Sequence, residues 1–250
     1  MKIKKVLVSQ PAPESGISPF AQLEGKHNVK VIFRPFIKTE VYTAKEFRGQ
    51  KVNLPDYTAL CFTSPKCVDY FFQVAEEMRF KVGDEMKYFC LSESVANYLQ
   101  KYINYRKRKV FFSEVGTLSD MMGIVAKHLD EKILVIRPET NNEEIVDAFE
   151  KSGASYKLGC ICRTVSNDFG PDEPFDYDML LFFSPHGVAT LKNNFPDWEQ
   201  GETVIGCSGK LTAQAIRDAG LRLDIDVPNE KYSSLPPAVD DWIKENHKRR

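Results

Sequence analysis

The sequence predicts an α/β protein made of two flavodoxin-like or Rossmann-like three-layer domains with parallel sheets, and three observations carry that reading. Buried-strand runs alternate with helix-period runs along most of the 250 residues. One strand–turn–helix device occurs twice, as Ala59-Leu60-Cys61-Phe62-Thr63-Ser64-Pro65 and as Leu180-Leu181-Phe182-Phe183-Ser184-Pro185. The stretch Ile133-Leu134-Val135-Ile136-Arg137-Pro138 also echoes Val6-Leu7-Val8-Ser9-Gln10-Pro11, so the organisation starts again near residue 128.

The repeated device has a physical basis. After Ser64, apolar residues recur at Val68, Phe71, Phe72, Ala75 and Met78, the spacing of one helix face. Ser64 caps this helix by accepting from a first-turn N–H, and Pro65 sits where a missing donor is harmless. Ser184 and Pro185 repeat the arrangement ahead of His186, Gly187 and Val188. N–H groups left free at such a terminus form an anion site.

In order, Lys5 to Ser9 reads as a strand, Ile17 to Leu23 as a short helix and Val29 to Phe33 as a strand. Arg34 to Thr43 reads as an extended crossing segment. Past the first Ser-Pro helix come a strand over Met86 to Leu91, a helix over Ser92 to Lys101, a strand over Lys109 to Phe112 and an amphipathic helix marked by Leu118, Met121, Met122, Val125 and Leu129. Lys132 to Ile136 is a strand, Glu143 to Lys151 a helix, and Tyr156 to Val165 a second extended segment. The later Ser-Pro strand and helix lead to strands over Glu202 to Cys207 and Leu221 to Val227, and to helices over Gly209 to Ala219 and Ser234 to Glu245. Repeated β-then-α order calls for parallel sheets with helices on both faces.

Composition narrows the function. Lys plus Arg (34) nearly balances Asp plus Glu (35), which argues against a generally basic nucleic-acid binder and against a disordered acidic chain. No stretch approaches the ~20 apolar residues that cross a bilayer, and the apolar run at the start is too short for a signal peptide. The expectation is a cytoplasmic protein without membrane contact. The six cysteines are scattered, and Cys61, Cys90, Cys160 and Cys207 lie in or beside apolar runs, where a thiol packs as a small hydrophobe. Cys160 and Cys162 share one face of a strand, but no second Cys or His pair at zinc spacing accompanies them, so no metal site is expected.

Ligands of open α/β sheets lie outside the carboxyl ends of the strands. Gathering those ends gives Ser9 and Gln10; Thr63, Ser64, Pro65 and Lys66; Ser92, Glu93 and Ser94; Arg137 and Glu139; Ser184, Pro185, His186 and Gly187; and Ser208, Gly209, Lys210 and Thr212. Each helix N-terminus favours a nearby anion by about 0.3–1 kcal/mol, so several together could hold a polycarboxylate without a dense arginine patch. Taken singly, every one of these loops is equally explained as ordinary capping. No Gly-x-Ser-x-Gly elbow, Walker loop or Gly-x-Gly-x-x-Gly after the first strand occurs. His186 could act as acid or base or be merely solvated; His27, His128 and His247 read as surface residues, and Lys244 to Arg250 as a solvated helix end.

The pattern resembles the uroporphyrinogen-III synthase family over nearly the whole chain. The residues that carry the resemblance are Val6-Leu7-Val8-Ser9-Gln10-Pro11, Phe62-Thr63-Ser64-Pro65, Phe183-Ser184-Pro185-His186-Gly187-Val188, and Val204-Ile205-Gly206 leading to Gly209-Lys210-Leu211-Thr212-Ala213. The repeat alone suggests tandem halves. The resemblance implies instead a terminal domain of 1–35 plus 167–250, a middle domain of 44–155, and a two-stranded ladder of 36–43 and 156–166. It also implies a tetrapyrrole held between the lobes, largely by loop backbone groups, and cyclisation of hydroxymethylbilane with inversion of the last ring and no metal or organic cofactor. A monomer is expected, with possible transient contact with the preceding bilane-forming enzyme. Thr212 matches the family threonine of the terminal domain. The chain departs from the family at Gln10, where arginine is common, at Val95, where threonine is common, and at Cys162, where a tyrosine often stands as proton donor. Thr212, Tyr42 and Cys162 are therefore the candidate catalytic residues, with Tyr156 a further possible phenol. A catalytically silent binding or regulatory protein of the same fold is the alternative, and an α/β protein with an unrelated small ligand is a third reading.

Overall fold

A computed structural model of the chain describes residues 2–139, 143–170 and 174–247. Its strands are β1 (Lys5–Val8), β2 (Lys30–Phe33), β3 (Ile37–Val41), β4 (Ala59–Phe62), β5 (Lys87–Cys90), β6 (Val110–Phe112), β7 (Lys132–Pro138), β8 (Ser155–Ser166), β9 (Met179–Phe182), β10 (Val204–Ser208) and β11 (Ile225–Val227). The helices are α1 (Ala21–His27), α2 (Ala44–Gly49), α3 (Pro65–Glu77), α4 (Glu93–Tyr98), α5 (Leu118–Val125), α6 (Glu143–Ser152), α7 (Pro185–Asn194), α8 (Lys210–Asp218) and α9 (Leu235–His247). The chain divides into two compact units, Met1–Lys38 with Val165–Arg250, and Thr39–Thr164.

The first unit is built on a sheet in the order β2-β1-β9-β10-β11, paired in parallel throughout. Read from its first strand this is the flavodoxin-like order 2-1-3-4-5. Because successive side chains alternate faces, Val6 and Val8 join Met179, Leu181 and Val227 beneath Leu23 of α1 and Val239 and Ile243 of α9. Leu7, Leu180, Phe182 and Ile205 face Val188 and Leu191 of α7 and Ala213 and Ile216 of α8. Both faces are covered, which is why these strands read as continuous apolar runs.

The second unit has the order β3-β8-β7-β4-β5-β6. From β8 to β6 the pairs are parallel, and the five strands have the Rossmann-like order 3-2-1-4-5. One face packs Leu60, Phe62, Tyr88, Leu134 and Ile136 against Val68, Phe71 and Val74 of α3 and Val95 and Ala96 of α4. The other packs Ala59, Cys61, Phe89, Ile133 and Val135 against Met121 and Val125 of α5 and Ile145 and Phe149 of α6. On the outer edge β3 runs antiparallel to β8. Tyr42 N donates to Ile161 O at 2.9 Å and Asn167 N to Phe36 O at 2.8 Å, so one number falls as the other rises.

Several local expectations shift. The helix expected from Ile17 starts at Ala21: Pro19 disfavours helical backbone at Ser18, and Ile17 is 77% exposed. The helix expected over Ser92 to Lys101 is α-helical only to Tyr98 and tightens to a 3-10 turn at Leu99–Lys101. The strand expected from Leu221 is confined to Ile225–Val227. Helix α2 was not expected, although Thr43 and Glu46 form a complete capping box, the Thr-x-x-Glu signal of a helix start. Phe36 is fully buried with Phe169 and Phe182, at ring-centroid distances of 4.9 and 5.6 Å. His128 is half-buried against Phe111. The side chain of His247 and residues 248–250, read from sequence as part of a solvated end, lie outside what the structure describes.

His27 is likewise no free surface group. Asp240 of α9 accepts from His27 Nε2 at 2.6 Å and from Lys26 Nζ at 3.3 Å, both on α1, and from Lys244 Nζ at 2.6 Å. The hydrogen bond from Lys244 is the largest influence holding this carboxyl well below the usual range; partial burial opposes it, and His27 and Lys26 reinforce it. A depressed carboxyl stabilises the fold above its unfolded value near pH 4, and the gain is lost as pH falls toward the folded value. Asp240→Asn is expected to cost about 1 kcal/mol in urea unfolding at pH 7, with the gap to wild type shrinking as pH falls below ~4. A gap that widened on acidification would contradict this role.

Candidate active site

In each unit the chain reverses its direction across the sheet between two neighbouring strands, and a crevice opens at their carboxyl ends. In the first unit those strands are β1 and β9. Ser9 leaves β1 almost fully buried, and Gln10 follows it into solvent. Beside it Ser184 caps α7 by accepting from Gly187 N at 3.2 Å. A Cβ at position 187 would lie 3.6 Å from Ser184 Oγ and 3.8 Å from Ser9 Oγ, so glycine keeps this corner open. Pro185 has no N–H and Gly187 gives its own to the cap, leaving α7 few donors for an anion. His186 is exposed beside them.

The N-terminus of α8 differs. Gly209 precedes it at φ +99° with no side-chain cap, and its own N–H goes to Val227 O at 2.7 Å. Glycine has no side-chain oxygen to offer, so the N–H groups of Lys210, Leu211 and Thr212 have no capping side chain. Thr212 is 3% exposed behind them, and Leu211 projects at 77% exposure. Ser208 ends β10 at the same edge. Here the dipole and the free donors act together.

In the second unit the crevice lies between β4 and β7. Ser64 caps α3 by accepting from Cys67 N at 3.3 Å, with Pro65 at the first helical position and Lys66 exposed. Ser92 accepts from Val95 N at 3.5 Å and shares a 2.8 Å hydrogen bond with Ser94, while Glu93 points outward. Thr63, Leu91, Gly116, Leu118 and the start of α6 line a cleft of about 740 Å³. Glu143 and Glu144 border it, which suits N–H donors better than carboxylates.

The end of β7 carries a bulge. Arg137 pairs with Cys160 but Pro138 with Cys162, so Ile161 is skipped, and Glu139 N then donates to Cys162 O at 2.8 Å. Bulges re-aim side chains next to sites. Gln50, just past α2, repairs the interrupted ladder: its Nε2 donates to Cys160 O at 2.7 Å and its Oε1 accepts from Cys160 N at 2.8 Å. Burial raises the Cys160 thiol, and the adjacent Arg137 guanidinium opposes the rise. Arg137 Nε is buried without a hydrogen-bond partner. Across the ladder, Tyr42 has its phenol raised first by burial and then by its hydrogen bond with Glu139 and that carboxylate's charge. Arg163 lies 5.0 Å from the Tyr42 ring centroid and is itself held by Glu40 at 2.7 Å and Glu46 at 2.9 Å. Cys162 is core: it is 4% exposed, and burial, followed by the neighbouring Cys67 and Cys160, pushes its thiol up to about 11. Tyr156 packs against Phe149 at 5.1 Å.

The residues selected from sequence thus occupy two sets of loops, Ser9, Gln10, Ser184–Gly187 and Ser208–Thr212 in the first unit and Thr63–Lys66, Ser92–Ser94 and Arg137 in the second, with Tyr42 beside the bulge. Sequence reasoning passed over Arg163 and Gln50, whose roles depend on pairing over more than a hundred residues. It also passed over the apolar residues of these loops. Ile17, Val115 and Leu211 are 77%, 72% and 77% exposed, the first two on loops that follow β1 and β6 and the third in the first turn of α8. Among the described residues no cluster of three or more His, Cys, Asp or Glu side chains is placed to hold a metal ion. No helix among them is long and apolar enough to cross a membrane.

Fold and loops define a protein of two doubly wound α/β units whose strand ends present hydroxyls and uncapped N–H groups, a setting for binding and orienting an anionic ligand. The family model for uroporphyrinogen-III synthase HemD matches residues 18–234, and the chain belongs to that family. The solved uroporphyrinogen-III synthetase of Helicobacter pylori is similar in fold at 14% identity, with a TM-score of 0.54 over 97% of this chain and 100% of that one. A mutant uroporphyrinogen III synthase of Thermus thermophilus aligns at 14% identity and a TM-score of 0.46 over 98% and 100%. No curated protein sequence matches the chain.

The caps themselves are testable. Ser64→Ala and Ser184→Ala should each lower unfolding stability by about 1 kcal/mol in denaturant titrations. An unchanged midpoint in both would mean that solvent replaces the serine oxygen at no cost.

Proposed function

We propose that the chain is a cofactor-independent lyase that cyclises hydroxymethylbilane to uroporphyrinogen III, with loss of water and inversion of ring D. The observation that carries the reading is the uncapped start of α8 with Thr212 buried behind it, in a chain whose family match spans both units. In this reading 1–35 with 167–250 and 44–155 are the two domains, joined by the ladder of 36–43 and 156–166. The protein acts as a monomer in the cytoplasm and takes its substrate from the preceding bilane-forming enzyme.

The chemistry needs orientation more than a strong nucleophile. The ring nitrogen expels the terminal hydroxyl and leaves an electrophilic azafulvene, which the far ring attacks at its already substituted carbon. The spiro intermediate fragments and recloses with ring D inverted. Closure in free solution gives the uninverted isomer, so the protein's task is to hold the bilane where only the inverting trajectory is open. We assign its carboxylates to the free N–H groups of Lys210, Leu211 and Thr212 and to Arg137 and Lys66, and the rest of the substrate to the loops at Ser9, Gln10, Thr63, Ser64, Pro65, Ser92, Glu93, Ser94, Ser184, Pro185, His186, Gly187, Ser208 and Gly209. Ile17, Val115 and Leu211 suit the apolar faces of the pyrroles, and Glu143 or Glu144 suits a pyrrole N–H.

Tyr42 is the proposed proton donor to the leaving hydroxyl. Its raised value keeps the phenol protonated through neutral pH, and Glu139 and Arg163 fix its ring. It stands on the ladder strand opposite Cys162, and that buried thiol is assigned to packing. A second reading, a silent tetrapyrrole-binding protein, is favoured by the burial of Cys162 and by Gln10.

The deciding experiment generates hydroxymethylbilane in place with the bilane-forming enzyme and separates the oxidised porphyrin isomers. A dominant type III product supports the lyase; type I alone, with tight tetrapyrrole binding by folded protein, supports the silent alternative. In the same assay Tyr42→Phe should lower kcat by about ten- to a hundredfold with little change in KM, whereas Cys162→Ser should stay within about twofold of wild type. The reverse ranking would move the proton donor from Tyr42 to Cys162.

A further inference from the structure

We propose that the second unit carries a binding site for a small amphipathic anion, an aromatic or alkyl body bearing one acidic group, in the pocket between the end of α3 and the amino-terminal ends of β5 and β6. The pocket has a volume of about 860 Å³, within the range of small-molecule sites. It lies at the opposite edge of the sheet from the strand-end loops and does not rest on the proposed reaction. Phe72, Ala75, Phe80, Val82, Met86 and Ile103 supply apolar lining. Tyr102 completes the wall, stacked on Phe72 with ring centroids 4.5 Å apart and planes within 1° of parallel. Asp69 holds that wall by accepting from the Tyr102 hydroxyl, from Tyr98 Oη at 2.8 Å and from Lys101 Nζ at 3.0 Å. An apolar slot with a fixed aromatic side favours a flat or extended hydrophobic body.

The rim decides the sign of the head group. Arg79, Lys81, Lys101, Arg106 and Lys109 face Asp69, Glu76 and Asp84 around the pocket. Lys101 is taken by Asp69, Arg106 by Asp84 at 3.2 Å, and Lys109 by Glu85 at 2.6 Å and the Asp84 carbonyl at 2.9 Å. Arg79 and Lys81 have no ion-pair partner among the described residues, and Glu76 is the one lining carboxylate without a side-chain bond. Two open cations against one open carboxylate suit a single acidic group and are too few for a polycarboxylate such as a bilane. The end of α3 carries the negative end of its dipole, an effect that is reduced where Met78, Phe80 and Arg79 donate to the carbonyls of Val74, Ala75 and Glu76 at 2.9, 2.8 and 2.8 Å and that Arg79 and Lys81 offset.

Arg79 stands at the head of the rim. It occupies the position just past the helix at φ +55°, a left-handed conformation that glycine adopts without steric cost. Asn28 and Lys51 take the same conformation at the ends of α1 and α2, so the backbone here is that of a helix end, and what Arg79 adds is a guanidinium on the rim.

The probe is 1-anilinonaphthalene-8-sulfonate, an aromatic body with one sulfonate, titrated into the full chain by fluorescence with stoichiometry from equilibrium dialysis. Saturable binding of a single molecule is expected. Arg79→Gly should weaken it about threefold while leaving the thermal midpoint unchanged or higher, and Arg79→Gly with Lys81→Glu should weaken it about tenfold. N-phenyl-1-naphthylamine, the same body without the sulfonate, should bind about tenfold more weakly than the sulfonate. Non-saturating fluorescence, equal affinity for the neutral body, or unchanged affinity in the folded double variant would each overturn the proposal.

Discussion

A parallel strand can be followed by another only if the chain crosses back to the sheet's far end, and that single constraint orders most of what this molecule presents. Apart from the passage from β2 to β9 through the second unit, each crossover within a sheet is a helix placed after the carboxyl end of a strand. Every such helix therefore puts its unsatisfied N–H groups on the same edge of its sheet, whatever its own sequence. The side chains then differentiate a common plan. Serine closes the termini of α3, α4 and α7, threonine closes α5, and glycine leaves α8 open. The closed ends stabilise; the open one has donors to give.

The same constraint explains which parts were legible before any coordinates. Buried parallel strands announce themselves as runs such as Leu180-Leu181-Phe182, and a capping serine followed by proline marks the junction, so the strand–helix sequence could be read almost throughout. Spatial order was not in the pattern. Whether β7 lies beside β4 or continues a separate half depends on pairing between residues far apart, and the repeated motif pointed as easily to tandem halves. Ile17 misled because an apolar residue at helical spacing looks like a core position, yet it faces solvent. Helix α2 was passed over because its neighbours are rich in β-branched residues, although Thr43 and Glu46 carried its signal.

Within the candidate site, legibility followed the range of the interactions. Caps are local, and Ser64, Ser92 and Ser184 were recognisable from their own tripeptides. The surroundings of Tyr42 are not local: Glu139, its hydrogen-bond partner, follows the bulge of β7, and Gln50 hydrogen-bonds the backbone of Cys160 just before the skipped Ile161. No sequence window contains Tyr42, Gln50 and Glu139 together. The burial of Cys162 is likewise a property of the packed sheet, where a thiol fits as a small apolar group beside Cys67.

The division of the first unit into two stretches bears on how the protein comes into being during synthesis. β1 and β2 emerge early and pair with each other, but β1 takes its second partner β9 from the far side of an intervening unit, so two of the five strands must wait, with one edge of β1 open, while Thr39–Thr164 is made. That insert is continuous and complete in itself, and it can collapse first. Once it has, β3 and β8 bring its two ends onto neighbouring strands. The loop closure that β1 and β9 then require is shortened from a long flexible chain to a short one. The edge pairing of β3 with β8 acts in this sense as a clasp, fixing the order in which the two halves of the molecule become native.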